Sequence, residues 1–546
     1  MLTDKKMFKL NALNFNKLKA YVDWKLLAFL MLFLNIKLEF KVLGIALIYL
    51  LQFDLNFGFR LKNSRLPIFY LLIIPIAFIS LIITKSYQNV NYWLVFFTGI
   101  GFWVLSILAV HQVKLSVEKN DTETIHRTIT LFFALNALLS VGNLLLIMLQ
   151  IHDFNPYTFR GLHQLYFVNT GDNIKGLTFD ISSTNGALNV LGVVYFLVRK
   201  QAAMLMACMV TLLLTTSNLI TAILIVVLAI IYFANSDKDQ KSMIVVCAML
   251  CVAFMVKVSP QNSRYVEEQA RRAMHLPVDT SFKRDMDTIR IADRPDSVLN
   301  PEERREKLAT LYLDSLYHVA SQHTPQSKYP DEIVIRPKWK YAYEFRPAWI
   351  VEPEKQVLLN FIAAHPGQLP LSSRERYIAG FPGKLTGIIQ SVLILYHNPV
   401  DILTGLGIGN FSSKIAFRAS GLGLRGKYPE RFTYINPAFM SNHLDLYMNF
   451  FARDLGLHSI TNNPASVFDQ LLSEYGLLGI VAFVIGYLWF FARNYKTLTY
   501  GLPLLFIIIL FFFIDYWFEQ LSVVVMFELM MFLNIKENKT LMPHGN

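Results

Sequence analysis

Three side chains in the second half of this chain are placed to move a proton: His443, His458 and Glu474. Imidazole titrates near neutral pH, so a loop histidine can act as general base on a hydroxyl. His458 is the best placed, shortly before an apolar run that opens at Ser466. Glu474 lies near the start of that run, where a carboxylate can orient a cation or a hydroxyl and can equally cap polar groups at an interface. Cations surround them. Lys414, Arg418, Arg425, Lys427 and Arg431 make a basic block broken by glycines, with Glu430 as its acid. A diphosphate calls for such a set, Arg as a bidentate fork and Lys as a point charge. Lys384, Lys175 and the turn Ser217-Asn218 fall on the same side of the expected spans and complete the candidate diphosphate site. The run Gly405-Leu406-Gly407-Ile408-Gly409-Asn410 lacks the glycine spacing and the strand-helix-strand setting of a dinucleotide loop. It reads as a loop that passes close to its neighbours and exposes N–H groups to phosphate oxygens.

The elements that must position these residues are membrane spans. The chain has 546 residues, 54% apolar and 16% charged, which is too apolar for an ordinary soluble protein of this size. Apolar runs are expected to span at Leu26 to Ile36, Val42 to Phe53, Pro67 to Ile83, Trp93 to Val110, Thr128 to Ile151, a run ending at Val198, Ala202 to Leu214, Leu219 to Ala234 and Met243 to Val256. Three more follow at Ser466 to Phe491, Leu502 to Ile514 and Leu521 to Leu533. The expected fold is an all-α polytopic membrane protein of about twelve transmembrane helices, with a large, mainly helical outer loop before the tenth. Residues 1–258 would form an N-terminal bundle, 259–463 the outer region with a helical insertion at 259–376, and 464–546 the last spans with a short tail. Both ends would lie inside, and no cleavable signal peptide is expected.

The formal charge of +12 is read as positive-inside topology and not as a nucleic-acid footprint, because Lys and Arg gather in short loops on one side. Cys208, Cys247 and Cys251 all fall in apolar spans and read as packing residues. No cluster has metal-ligand spacing, so neither metal nor cofactor is expected. Asn463-Pro464, followed by Asp469 and Glu474, reads as the start of the tenth span, with Gly476 and Gly479 as a small-residue packing face.

The order and sidedness of these features resemble the O-antigen ligase and O-antigen polymerase superfamily of bacterial envelope glycosyltransferases. The motifs that carry the resemblance are 176–187, the Thr216-Ser217 turn, Gly383-Lys384 leading through an amphipathic run to Gly405–Phe411, and Glu474-Tyr475-Gly476-Leu477-Leu478-Gly479. The resemblance implies an inner-membrane protein whose large loop is periplasmic. It also implies transfer of a glycan from an undecaprenyl-diphosphate carrier to a sugar hydroxyl, on a growing glycan or a lipid A-core-like acceptor. A base would deprotonate the acceptor while cations meet the charge growing on the departing diphosphate. Three positions depart from the family pattern: Asn218 and Lys384 stand where it carries arginine, and Ala465 stands where ligases carry histidine. Polymerase is therefore favoured over ligase. A transporter or flippase of the same lipid-linked glycan, and a catalytically inactive assembly protein, are the alternatives.

Overall fold

The computed structural model describes residues 21–60, 63–158, 170–234, 236–260, 263, 266–267, 270–271, 274, 276, 383–397, 399–420, 430–443, 446, 460–461 and 463–541. Helices dominate these residues, and there is no strand among them. In chain order they are α1 (Trp24–Phe33), α2 (Leu38–Leu51), α3 (Phe69–Ile83), α4 (Tyr92–Lys119), α5 (Thr122–Ile151), α6 (Ser182–Val198), α7 (Ala202–Leu214), α8 (Asn218–Ala234) and α9 (Lys238–Ala253). Then come α10 (Gly383–His397), α11 (Asp401–Thr404), α12 (Lys414–Ala419), α13 (Pro437–Asn442), α14 (Val467–Phe483), α15 (Gly501–Phe511), α16 (Trp517–Gln520) and α17 (Ser522–Leu541). A π-helical turn, Phe254–Val258, extends α9; another, Val484–Leu488, followed by Trp489–Ala492, extends α14.

Four of these are long and apolar enough to cross a membrane: Tyr92–Lys119, Thr122–Ile151, Lys238–Val258 and Val467–Ala492. Their starts follow local chemistry. Asp121 accepts from the Thr124 N–H at the head of α5, and Asp237 and Gln240 form a reciprocal capping box at the head of α9. Those caps also correct the sequence reading. Helix α4 runs on past the expected limit at Val110 to carry Lys114 and Lys119 on its last turns, and α9 begins at Lys238, before the expected Met243. The tenth expected span starts at Val467, not at Pro464, because Asn463 Oδ1 turns back onto the Ala465 N–H at 3.0 Å. Ala202–Leu214 matches its expected limits.

The bundle has buried centrepieces and a greasy rim. Helix α6 is buried from Ser182 to Leu197, and α17 from Ser522 to Asn534. Outward faces of the surrounding helices are apolar, as at Ile82, Leu149 and Phe233. Hydrogen bonds sort the connections into two ends. At one, Ile36 N donates to Thr178 O, Ser522 Oγ to Leu34 O, and Lys384 Nζ to Ile514 O. The glycine run 405–409 belongs to this end, here called the glycine-loop end. At the opposite end, Arg65 pairs with Glu118, Arg199 with Glu537, and Lys200 with Asp237.

Candidate functional site

The glycine-loop end is organised by a broken helix. Within α14, Gly476 has φ 62° and ψ −159°, so the helical ladder stops there and resumes beyond it. Gly405, φ 70°, faces it: a Cβ on Gly405 would lie 2.4 Å from the Glu474 carbonyl carbon, and one on Gly476 would lie 2.6 Å from Leu403 O and Gly405 N. Only two glycines allow this approach and these dihedrals. The Ser473 and Glu474 carbonyls then accept from Leu406 N at 2.8 Å and Gly407 N at 3.0 Å. Small-residue packing was expected of Gly476; backbone docking at a helix break is what it does.

The loop closes around the Glu474 side chain. Gly409 N donates to Glu474 Oε2 at 2.9 Å and Phe411 N to Oε1 at 3.2 Å. Loop carbonyls are satisfied as well: Tyr92 Oη donates to Ile408 O, Ser80 Oγ to Gly405 O, and Asn410 Nδ2 to Leu406 O. The sequence reading offered these N–H groups to a phosphate. That expectation is corrected, since Leu406, Gly407, Gly409 and Phe411 spend theirs on α14. The physical reason is that the helix break creates orphan acceptors close by, and buried acceptors must be met.

One turn earlier on α14 a second carboxylate gathers hydroxyls. Asp469 is fully buried and accepts from Ser391 Oγ of α10 and, at 2.8 Å, from Ser412 Oγ, which also meets Tyr516 Oη at 2.9 Å. Beside it, Gln470 Nε2 donates to Glu519 Oε1 at 2.5 Å, while Ile415 N donates to Glu519 Oε2 at 3.2 Å. Burial first, and the Glu474 charge second, push the Glu519 carboxyl up to about 8 against the pull of Lys414 and Arg418. Lys414 Nζ stands 3.6 Å from Asp515 Oδ1, and Gln520 Nε2 donates to Asp515 Oδ2 at 2.6 Å.

The sequence-derived candidates are distributed unevenly over this frame. His443 sits inside it: Nε2 is 3.8 Å from Asp469 Oδ2, and the ring lies 4.8 Å from that of Phe411. Burial drives its pKa down to about 3, so the imidazole is neutral at physiological pH. Lys384 is also inside, but its ammonium donates to Ala465 O at 2.5 Å and Ile514 O at 2.7 Å. Where the sequence reading had placed it on a diphosphate, it bonds the carbonyls just before α14 and just after α15. Glu474 likewise is an acceptor for the glycine loop. Arg418 is half-buried on α12, and Arg431 is exposed, its guanidinium 4.6 Å from the Phe432 ring centroid. Lys175 is exposed, its backbone and that of Gly176 held by Asn143 Oδ1. Asn218 opens α8. Thr184 joins that side to the rest through Gln520, at 3.3 Å. His458 and Arg425 lie outside the described residues.

Asp469, Ser391, Ser412 and Tyr516 were not singled out from sequence as site residues. A signal for them existed: Lys384, Gly387 and Ser391 recur at i, i+3 and i+7, a polar or small stripe on a helix whose other side carries Leu385, Val392 and Tyr396. Among the described residues, no group of three or more His, Cys, Asp and Glu could hold a metal ion. Comparison with family models, curated proteins and solved structures finds no match to this chain.

Proposed function

We propose that the chain is a bacterial inner-membrane glycosyltransferase of about twelve spans. Its glycine-loop end would face the periplasm, and it would transfer a glycan from a polyprenyl-diphosphate carrier to a sugar hydroxyl. The observation that carries this reading is the His443–Asp469 pair at the head of α14, at the same end as Lys414, Arg418 and Arg431. His443 comes close to the start of the tenth span, the neighbourhood of Ala465, from a different part of the chain. The orientation is supported by the opposite end, which gathers Arg65, Lys114, Lys119, Arg127, Arg199, Lys200 and Lys536.

In this reaction His443 takes the proton from the acceptor hydroxyl as its oxygen attacks the anomeric carbon, and the Asp469 carboxylate 3.8 Å away offsets the burial that otherwise makes the imidazole a weak base. Asp469 stabilises the imidazolium as it forms. The bond from the anomeric carbon to the diphosphate oxygen breaks, and the carrier diphosphate leaves with the electron pair. Arg418 and Arg431 meet that growing negative charge. Polymerase remains the favoured form, the acceptor being the growing glycan.

The test is a glycan-ladder assay in a deletion strain complemented with His443→Ala, Asp469→Asn or Arg418→Ala. Accumulated single units with no chain extension are expected for each. Long lipid-linked chains left unattached would mean ligase, and normal ladders from all three variants would end the proposal. A transporter is the second reading, favoured by the interruption of α14 at Gly476, since broken helices often mark substrate paths in transporters. Uptake of labelled carrier into proteoliposomes without glycan transfer would select it.

A further inference from the structure

Within the stretch expected to lie wholly outside the bundle, α10 and α11 run along α14. The chain enters beside Ala465 and Ile514, where Lys384 is anchored, and passes Asp469 at Ser391. At Leu403 and Gly405 it touches Gly476. It then climbs back, with Gly409 and Phe411 on Glu474, Ser412 on Asp469 and Ile415 on Glu519. Entry and exit share one end. Gly476 lies nine residues past Val467. At helical rise that is about 14 Å, roughly half of a bilayer's hydrocarbon thickness.

The sidedness of α10 is the reverse of a helix washed by water. Lys384, Thr386 and Ser391 are buried, whereas Val392, Leu393 and Tyr396, and Val400 and Leu403 beyond, are exposed, Tyr396 at 75%. This exposed apolar strip does not stop at the hairpin. It continues onto Leu477, Leu478 and Val481 of α14 and Val484 and Ile485 of its π-helical extension, together long enough to cross a membrane, and onto Phe78, Ile79 and Ile82 of α3. Helix α11 packs against both α3 and α14. The irregular backbone from Thr404 to Ser413 is buried throughout, which is the condition for non-helical chain at membrane depth.

We propose that α10 and α11 form a re-entrant hairpin whose apolar face is covered by lipid acyl chains of the leaflet at the glycine-loop end. The strip's continuity with α14 names the occupant: hydrocarbon that bathes Leu478 and Ile485 bathes Val392 and Leu403 as well. This assignment stands without the chemistry proposed above.

The test uses the unaltered chain in phosphatidylcholine vesicles containing a phospholipid with a diazirine on its acyl chain. After illumination, peptides are mapped by mass. Adducts on 392–403 at a yield comparable to 477–485, and several-fold above 430–436, are expected. Labelling of 477–485 without 392–403 would overturn the proposal. A second measurement places a nitroxide at Val392→Cys, Tyr396→Cys or Leu403→Cys in a chain with Cys208, Cys247 and Cys251 replaced by Ala. Oxygen should collide with these labels as often as with one at Leu478→Cys, with little collision from an aqueous nickel chelate. Chelate collisions matching those at Arg431→Cys would overturn the hairpin's depth. Shielding from both agents would show protein, not lipid, over the face, and would overturn the proposal equally.

Discussion

The two ends of the bundle use charge in different ways. At the opposite end, charged side chains pair with one another at the rim: Arg65 with Glu118 at 2.6 Å, Lys200 with Asp237 at 2.5 Å, Arg199 with Glu537 at 3.0 Å, most of them part-exposed. At the glycine-loop end, three buried ionisable side chains bond to backbone: Glu474 to two N–H groups, Lys384 to two carbonyls and Glu519 to the Ile415 N–H. The difference follows from backbone regularity. Where helices end in water, their terminal groups need no protein partner; where a helix breaks and a loop is buried, each freed group needs one. The exposed rim pairs are thus replaceable, whereas the buried groups at the glycine-loop end hold the chain path together.

The strongest way to break this contrast is to add a methyl group at the docking point. Gly476→Ala or Gly405→Ala would press a Cβ to within 2.6 Å of opposing backbone at a positive φ. Loss of roughly 3 kcal/mol or more is expected, seen as aggregation or a much lower Tm in detergent; a Tm unchanged by either would mean the break is not held as described. Glu474→Ala comes next, because two buried N–H groups lose their acceptor, at about 2–4 kcal/mol. Glu474→Gln keeps one acceptor oxygen and should cost less. Lys384→Met strands the Ala465 and Ile514 carbonyls, at about 1–3 kcal/mol, whether or not substrate is present. A Lys384→Met chain of full stability but no activity would return Lys384 to the diphosphate.

Proton linkage sharpens the same contrast. Glu519 is raised from 4.5 to about 8, so between those values the folded chain keeps a proton that the unfolded chain has released. Its contribution to stability is full below pH 4.5 and is lost as pH rises toward 8. His443 is lowered from 6.5 to about 3, so its contribution is present above pH 6.5 and is lost as pH falls toward 3. Glu519→Gln should therefore flatten the alkaline decline of Tm while leaving the acid limb in place; an unaltered alkaline limb would assign that decline to another group. The smallest effect is expected from Lys200→Ala at the opposite end, where both partners are about half exposed. Its Tm should match the unaltered chain.

Much of the helix map was legible because a long apolar run leaves few alternatives. Ala202–Leu214 was readable to the residue, α8 to within one residue and α5 at its C-terminal end, where apolar stretches meet polar turns. The hairpin 383–411 was not. Its polar stripe reads as a water-facing surface until Asp469 is seen to meet it. Gly405 and Gly476 were visible as glycines, but their pairing joins positions far apart in the chain and no local pattern encodes it. His443 was visible as a candidate base; its partner Asp469 read only as a favourable charge on a helix dipole.

By itself, the sequence determined that this chain must be helical and apolar on its outside, because its composition leaves too little polar surface to meet water and long apolar runs must satisfy their own backbone. Only the tertiary structure decided what the buried charges are for. Whether Glu474 or Lys384 faces a ligand or a stretch of backbone depends on which distant segment fills the space beside it, and desolvation makes that segment's unpaired groups the first claim on any buried charge.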